Sequence, residues 1–264
     1  MKLKGIFIIT QGTKKIVAIT MSVSLLTIIF AYFYYRGINR SEDPRITRAK
    51  KFLAEYEGLD SGIKQIEAFH LLDSAFVIFN ALPDYKHSFE KGIIYNNKCS
   101  GILLNAIYNA EINEDEKHRL LYRSMNFCDS SILIYRKWLN EWENLSPEEV
   151  AGRIRPFMNE DDPAYAGLNF RKIFDRRIKN IITSQYETPR RLSVSYANKG
   201  TVYRHLNEPD SALFYNRLAL LLWEDNRTAE SNLNVLLGGE PVKPKLIESL
   251  FPPDRKKRRN AVND

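Results

Sequence analysis

The chain is poor in the residues that build catalytic and metal centres. It has two cysteines and four histidines in 264 residues. Two cysteines exclude a disulfide-dense scaffold and a four-thiolate zinc site. His70, His87, His118 and His205 are scattered, and none has a second histidine at metal-ligand spacing. There is no glycine-rich phosphate loop, no G-x-S-x-G, no H-E-x-x-H and no C-x-x-C. These absences point away from an enzyme: no catalytic residue, no cofactor and no metal are expected. Glycine and proline number only 12 and 11, which argues against a sandwich or barrel of many tight turns. A surplus of one charge is also missing from the body of the chain. The net charge is +7, but residues 1–15 carry +4 and residues 251–264 carry +3, so the stretch between them is neutral. A nucleic-acid-binding domain wants a basic face on the folded unit, and nucleic acid is therefore not the expected partner.

What is present begins with a long apolar run. Residues 16–35 read IVAITMSVSLLTIIFAYFYY, 20 residues without a charge between Lys15 and Arg36. As a helix they reach about 30 Å, the thickness of the hydrocarbon core of a bilayer. A core helix of this length would show a polar stripe, and this run has none. Phe30, Tyr32, Phe33, Tyr34 and Tyr35 crowd one end, as an interfacial aromatic belt does. A cleaved signal peptide wants small residues after a shorter run, so the reading is an uncleaved anchor. No cysteine lies near for lipid attachment. Lysine and arginine are nearly balanced across the span. The short N-terminal tail is read as cytoplasmic, which puts residues 36–264 outside the cytoplasm, in the periplasm if the source is bacterial.

The rest reads as all-α, in five parts. Residues 1–15 form a basic tail, 16–35 the membrane helix, 36–42 a linker, 43–238 a helical domain and 239–264 a proline-rich basic tail. Helices are expected over 44–57, 60–82, 86–111 and from 114 to about 144. Ser146-Pro147-Glu148-Glu149 opens a shorter one. Asp161-Asp162-Pro163 is expected to start a helix near 163–186, and Thr188-Pro189 another near 189–206. Two more follow over 209–225 and 227–238, the last ending at Gly238-Gly239. A helical turn is expected at Leu246–Phe251.

Short strings recur. Asp73-Ser74-Ala75, Asp129-Ser130-Ser131 and Asp210-Ser211-Ala212 each precede an apolar helical run. Tyr95-Asn96-Asn97-Lys98 is echoed by Tyr196-Ala197-Asn198-Lys199. The spacings differ, so this is a divergent duplication and not an exact-period array. In 192–225, Leu192, Tyr196, Gly200 and Tyr203 share one helical face, and Ala212, Tyr215, Ala219 and Leu222 share another. Gly200 and Ala212 are small enough for two antiparallel helices to approach closely. Here the chain resembles the tetratricopeptide repeat family: Tyr196, Gly200, Tyr203, Ala212 and Ala219 fall at its signature spacing. Lys199 stands where leucine is usual, Asn216 replaces an aromatic, and Glu224 replaces the closing proline. Residues 95–140 fit only with a much longer connection between the helices, and 60–82 only through Asp73-Ser74-Ala75 and Phe79.

The resemblance implies an antiparallel helical repeat domain that presents a groove to a peptide or partner protein. The first helix of each repeat would line it, offering Asn97, Asn198, Thr201, Arg204 and His205. The Lys and Asn constellation that grips carboxylate tails in some members of the family is missing, since Ala197 and Thr201 occupy two of its places.

Cys99 and Cys128 lie equidistant from the Asn113–Glu114 turn, so a hairpin brings them close. They are either a disulfide, in an oxidising compartment, or two small residues at a tight contact. Tyr135, Trp138 and Trp142 share a helical face, read as packing and not as a ligand cage. The functional expectation is a single-pass membrane-anchored adaptor or scaffold that binds another protein, in a bacterial envelope complex. The alternative is a membrane-peripheral regulator. Its run Arg255, Lys256, Lys257, Arg258 and Arg259 would contact anionic lipid or nucleic acid.

Overall fold

The computed structural model describes residues 11–59 and 66–242, leaving out the side chains of residues 34–40. The Arg255–Arg259 run, the turn expected at Leu246–Phe251 and most of the N-terminal tail lie outside the described residues. Among the described residues the chain is all-α, with no strand. Helix α1 spans Gln11–Arg40. Within it, the most apolar 18 residues of Gln11–Phe33 have a mean hydropathy of 2.3, and none of them is buried. The helix is long and apolar enough to cross a membrane.

The remaining helices are α2 (Thr47–Glu57), α3 (Phe69–Ala81), α4 (Phe89–Tyr108) and α5 (Glu114–Trp142), followed by α6 (Pro147–Ile154), α7 (Phe170–His205), α8 (Pro209–Leu222) and α9 (Arg227–Leu236). Their starts are set by local chemistry. Asn113 accepts from Glu116 N at the head of α5, and Asn169 accepts from Lys172 N at the head of α7. Ser146 and Glu149 form a reciprocal capping box on α6. Asn207, in the left-handed region at φ 58°, turns the chain from α7 into α8. Asparagine tolerates that region better than most residues.

Two boundaries differ from the sequence expectation. Pro163 opens only a 3-10 turn, Pro163–Tyr165, capped by Asp162. The helices expected over 163–186 and 189–206 are one helix, α7, with Pro189 inside it. A proline in a helix interior costs about 3 kcal/mol. Packing on both sides of Pro189 offsets that. Ile181 and Leu192 are buried in the same core, and Gln185 Nε2 donates to the carbonyls of Trp142 at 2.8 Å and Leu145 at 2.9 Å. The short turn read between the helices at 86–111 and 114–144 is present, so the longer connection by which residues 95–140 would fit a repeat is absent. The turn is short, and the extra residues lengthen α4 and α5 instead.

The helices pack in successive pairs: α2 with α3, α4 with α5, α7 with α8. Helix α5 also packs on α7, α6 lies on α7, and α9 closes against α8 and α7. The α4–α5 pair has the most extensive contact. A Cβ on Gly92 would lie 2.8 Å from Tyr135 Cζ, so only glycine admits the ring there. Apolar residues gather in two clusters. One centres on Leu72, Phe79 and Ile102, the other on Trp138, Ile173 and Ile181.

Candidate binding cavity

The five residues expected to line a groove do not form one open face. Asn97 is half-buried on α4. Its carbonyl accepts from Tyr56 OH at 3.4 Å, whose hydroxyl burial pushes up to about 12. Asn198 Nδ2 donates to Asn96 Oδ1 at 3.2 Å, tying α7 to α4. Thr201 is buried: its hydroxyl donates to Ala197 O and accepts from Asn232 Nδ2 at 2.8 Å. Helix α9 covers that side of α7, which is why Thr201 is not available to a groove. Arg204 and His205 lie side by side, 3.3 Å apart. Partial burial, then Arg204 and Lys117, hold the His205 ring below the usual histidine range.

Asn232 also donates to Asn216 Oδ1 at 3.2 Å, and Asn216 Nδ2 donates to Ala212 O at 2.7 Å. Asn216, in the aromatic's place, packs on Gly200, whose Cβ would lie 2.8 Å from Asn216 Cγ. This asparagine ladder joins α7, α8 and α9, and no sequence pattern announced it.

Cys99 and Cys128 are joined in a disulfide between α4 and α5, with Cα atoms 5.3 Å apart. Ser124 beside them donates to Cys99 O at 2.8 Å. His70, His87 and His118 are exposed. No group of three His, Cys, Asp or Glu among the described residues is placed to hold a metal ion.

The aromatic trio on α5 divides. Tyr135 and Trp138 are buried in the second apolar cluster. Trp142 is half-buried and stacks on Trp138, ring centroids 6.4 Å apart. Together Trp138 and Trp142 form one wall of a cavity of about 280 Å³. Ile154 and Phe157, at the end of α6 and in the 3-10 turn after it, also line it. Arg153 Nη1 donates to Glu141 O, which holds α6 against the end of α5. Asp84, His87 and Ser88 from the α3–α4 connection, Glu141 from α5, Arg153 from α6 and Arg177 from α7 make up its polar lining.

Asp84 and Arg177 also belong to a buried cluster of charges. Arg45 Nη2 reaches Asp43 Oδ2 at 2.8 Å and Asp84 Oδ2 at 2.9 Å. Arg177 Nη1 donates to Glu90 Oε1 at 3.2 Å, and Nη2 to Asp84 O at 3.4 Å. The Arg177 guanidinium lies 3.8 Å from the centre of the Tyr85 ring. Tyr85 belongs to the first apolar cluster, and Arg177 lines the cavity with Trp138, Ile154 and Ile181 of the second, so the charges sit where the two cores meet. Burial raises Asp84 above the usual carboxylate range, against the pull of Arg45 and Arg177. Burial opposes the charge on Arg177, but Tyr85, Glu90 and Asp84 outweigh it and hold its pKa up. Burial likewise drives Tyr85 well above the ordinary phenol value. Four atoms here have no protein hydrogen-bond partner: Asp84 Oδ1, Ser88 Oγ, Glu90 Oε2 and Arg177 Nε. Sequence reasoning missed this site. Its one legible trace is Asp43, which stands before Pro44 and reads as a helix cap.

Two ion pairs connect successive helix pairs in the same way. Lys98 of α4 meets Asp73 of α3. Lys199 of α7 meets Asp129 of α5 at 2.5 Å. Each lysine also lies over aromatic rings, Lys98 over Phe127 and Lys199 over Tyr215. Set against known proteins, the chain matches no family model, no curated protein and no solved structure.

Proposed function

We propose that this chain is a single-pass membrane-anchored helical-repeat protein that mediates protein–protein interaction, as an adaptor or scaffold in an envelope complex. The observation that carries the reading is the pairing of an exposed apolar helix, Gln11–Phe33, with a domain of successive packed helix pairs. An apolar surface of that length is stable only in lipid, and stacked helix pairs are a scaffold for binding extended partners.

The kinship with tetratricopeptide repeats is supported by two things. The residues at signature spacing do the packing that spacing implies: Tyr196 stacks on Tyr215, and Ala212 and Ala219 are fully buried. The Lys98–Asp73 and Lys199–Asp129 pairs join consecutive hairpins through the very strings that recur in the sequence. The Cys99–Cys128 bond supports an extracytoplasmic domain, because such bonds persist in oxidising compartments.

Topology is the first test. Spheroplasts with an intact inner membrane are treated with protease, and the thiols are counted with a thiol-reactive polyethylene glycol before and after reduction. We expect the domain to be cut from outside and to take up label only after reduction. Cleavage only after lysis, with free thiols, would overturn the extracytoplasmic reading. Crosslinking in membranes then tests the adaptor reading: the same partner should be recovered by wild type and lost with a chain truncated after Arg40.

A further inference from the structure

The chain just past the membrane helix is fastened to one end of the domain. Helix α1 ends at Arg40. Five residues on, Arg45 Nη2 reaches Asp84 Oδ2 at 2.9 Å, and its guanidinium lies 5.3 Å from the centre of the Tyr165 ring. Two connections therefore meet at the anchor: the one between α3 and α4, which carries Asp84, and the one between α6 and α7, which carries Tyr165. The tether is short. Residues 34–40 continue α1 for about 10 Å beyond Phe33, and residues 41–45 add at most about 17 Å. A domain of this size is about 40 Å across, so the tether bounds how far this end can stand from the bilayer.

The surface at this end is cationic around His87. Lys86 and His87 are exposed, two and three residues after Asp84. Lys137 of α5 is exposed and donates to His87 Nδ1 at 3.4 Å. Lys91 of α4 donates to Lys86 O at 3.0 Å. Partial burial, then Lys86 and Lys137, hold the Lys91 ammonium below the usual lysine range. Three like charges thus repel one another here, and an anion would relieve them. Arg153, also exposed, shares the cavity lining with His87. None of the ion pairs among the described residues joins Lys86, Lys91, Lys137 or Arg153 to a carboxylate. Acids are present at this end too, Glu141 in the cavity lining and the exposed run Glu160-Asp161-Asp162, so the surplus is local and not general. Beside the cations stands an apolar ring: Phe157, in the same lining, is 50% exposed.

Exposed cations next to exposed rings suit the interface of a bilayer that holds anionic lipid. An acidic protein would meet the same cations. The tether decides between the two, because it keeps this surface beside the headgroups at a local concentration that a free partner does not reach. We propose that the domain rests on the membrane that α1 spans, with Lys86, Lys137 and Arg153 on the phosphates of anionic phospholipids and Phe157 in the interfacial layer. The inference rests on the reading of α1 as a membrane anchor.

The test uses the full chain in phospholipid vesicles. Cys99 and Cys128 are bonded to each other, so a fluorophore attached to Phe157→Cys without reductant marks that site alone. A nitroxide carried on the lipid headgroup quenches a fluorophore that lies at the membrane surface. We expect quenching at least twofold stronger in phosphatidylcholine vesicles containing phosphatidylglycerol than in phosphatidylcholine alone. The difference should vanish in high salt and in Lys86→Glu with Lys137→Glu. A label on Leu237→Cys should stay unquenched in both lipids. Helix α9, which ends beside it, covers Thr201, about 36 Å along α7 from Arg177. The lipid comparison needs no charge variant, so it stands even if the double variant does not fold. Equal quenching at position 157 in the two lipids, or none in either, would overturn the inference. So would phosphatidylglycerol-dependent quenching at position 237. Release of the chain from the vesicles by carbonate would sink the anchor reading itself, and is read before any label.

Discussion

Helices α1 and α7 are the two longest in the molecule, 30 and 36 residues, and they are built inside out with respect to each other. Helix α1 carries its apolar residues outward: Leu26 is 66% exposed and Phe30 72%. Its hydroxyls turn back on its own backbone, Thr20 to Ile16 O and Thr27 to Val23 O, both at 2.9 Å. Such a helix asks nothing polar of its surroundings. Helix α7 buries polar side chains instead, among them Arg177, Gln185, Ser193, Ser195 and Thr201. Several are satisfied by other elements: Ser193 Oγ donates to Ala219 O at 2.7 Å, and Ser195 Oγ donates to Asn96 Oδ1 at 2.9 Å. One helix depends on a solvent, the other on its neighbours.

Breaking each helix at its own dependence should separate them. The largest effect is expected in α1. Leu25→Arg with Ile28→Arg puts two charges mid-span, at about 2.5–3.5 kcal/mol each for insertion. Carbonate extraction should move the chain from the membrane pellet to the soluble or aggregated fraction.

Next comes α7. Arg177→Ala strips Glu90 of its partner and should cost about 3–5 kcal/mol, read as a lowered urea midpoint by circular dichroism. Arg177→Met combined with Glu90→Leu should recover most of that loss, because the apolar pair leaves no charge unmatched. A double variant as unstable as the single one would mean the pair holds the two cores in register.

Smaller effects follow at two glycines that look alike in sequence. Gly200→Ala drives a methyl into Asn216 and should cost about 1–3 kcal/mol. Gly152→Ala in α6 meets nothing within 4 Å and should stabilise by about 0.5–1 kcal/mol. Thermal melts of the two variants should move in opposite directions.

The smallest effect is a pH dependence. Asp84 sits above its ordinary value in the folded chain. Its contribution is therefore present below the ordinary carboxylate range and lost as pH rises through its folded pKa. Asp84→Asn should melt no lower than wild type at pH 7. The gap should shrink as pH falls toward the carboxylate range. A gap that widens on acidification would show that Asp84 is held ionised by Arg45.

Much of the fold was legible, and where it failed the failures are instructive. The caps at Asn113 and Ser146 were readable because a cap is a contact between residues three apart. Pro189 misled, because its local preference is to start a helix and the packing of Ile181 and Leu192 outweighed it. Thr201 misled in the other sense. It was read on the face away from the core, but α9 lies over it and Asn232 holds its hydroxyl. Trp138 and Trp142 were correctly placed on one face, yet the sequence did not show the cavity they border. That cavity needs α6 and the α3–α4 connection, more than ten and fifty residues away.

The sequence by itself determined the apolar helix, the all-α character and most helix ends, because hydropathy and capping are properties of a few neighbouring residues. Only the tertiary structure decided that Arg177 meets Glu90, 87 residues away, that three carboxylates share two guanidiniums, and that a cavity opens beside them. Burial decides those partnerships. A charge chooses its partner only once water has been removed, and which charges lose their water depends on how the helices stack.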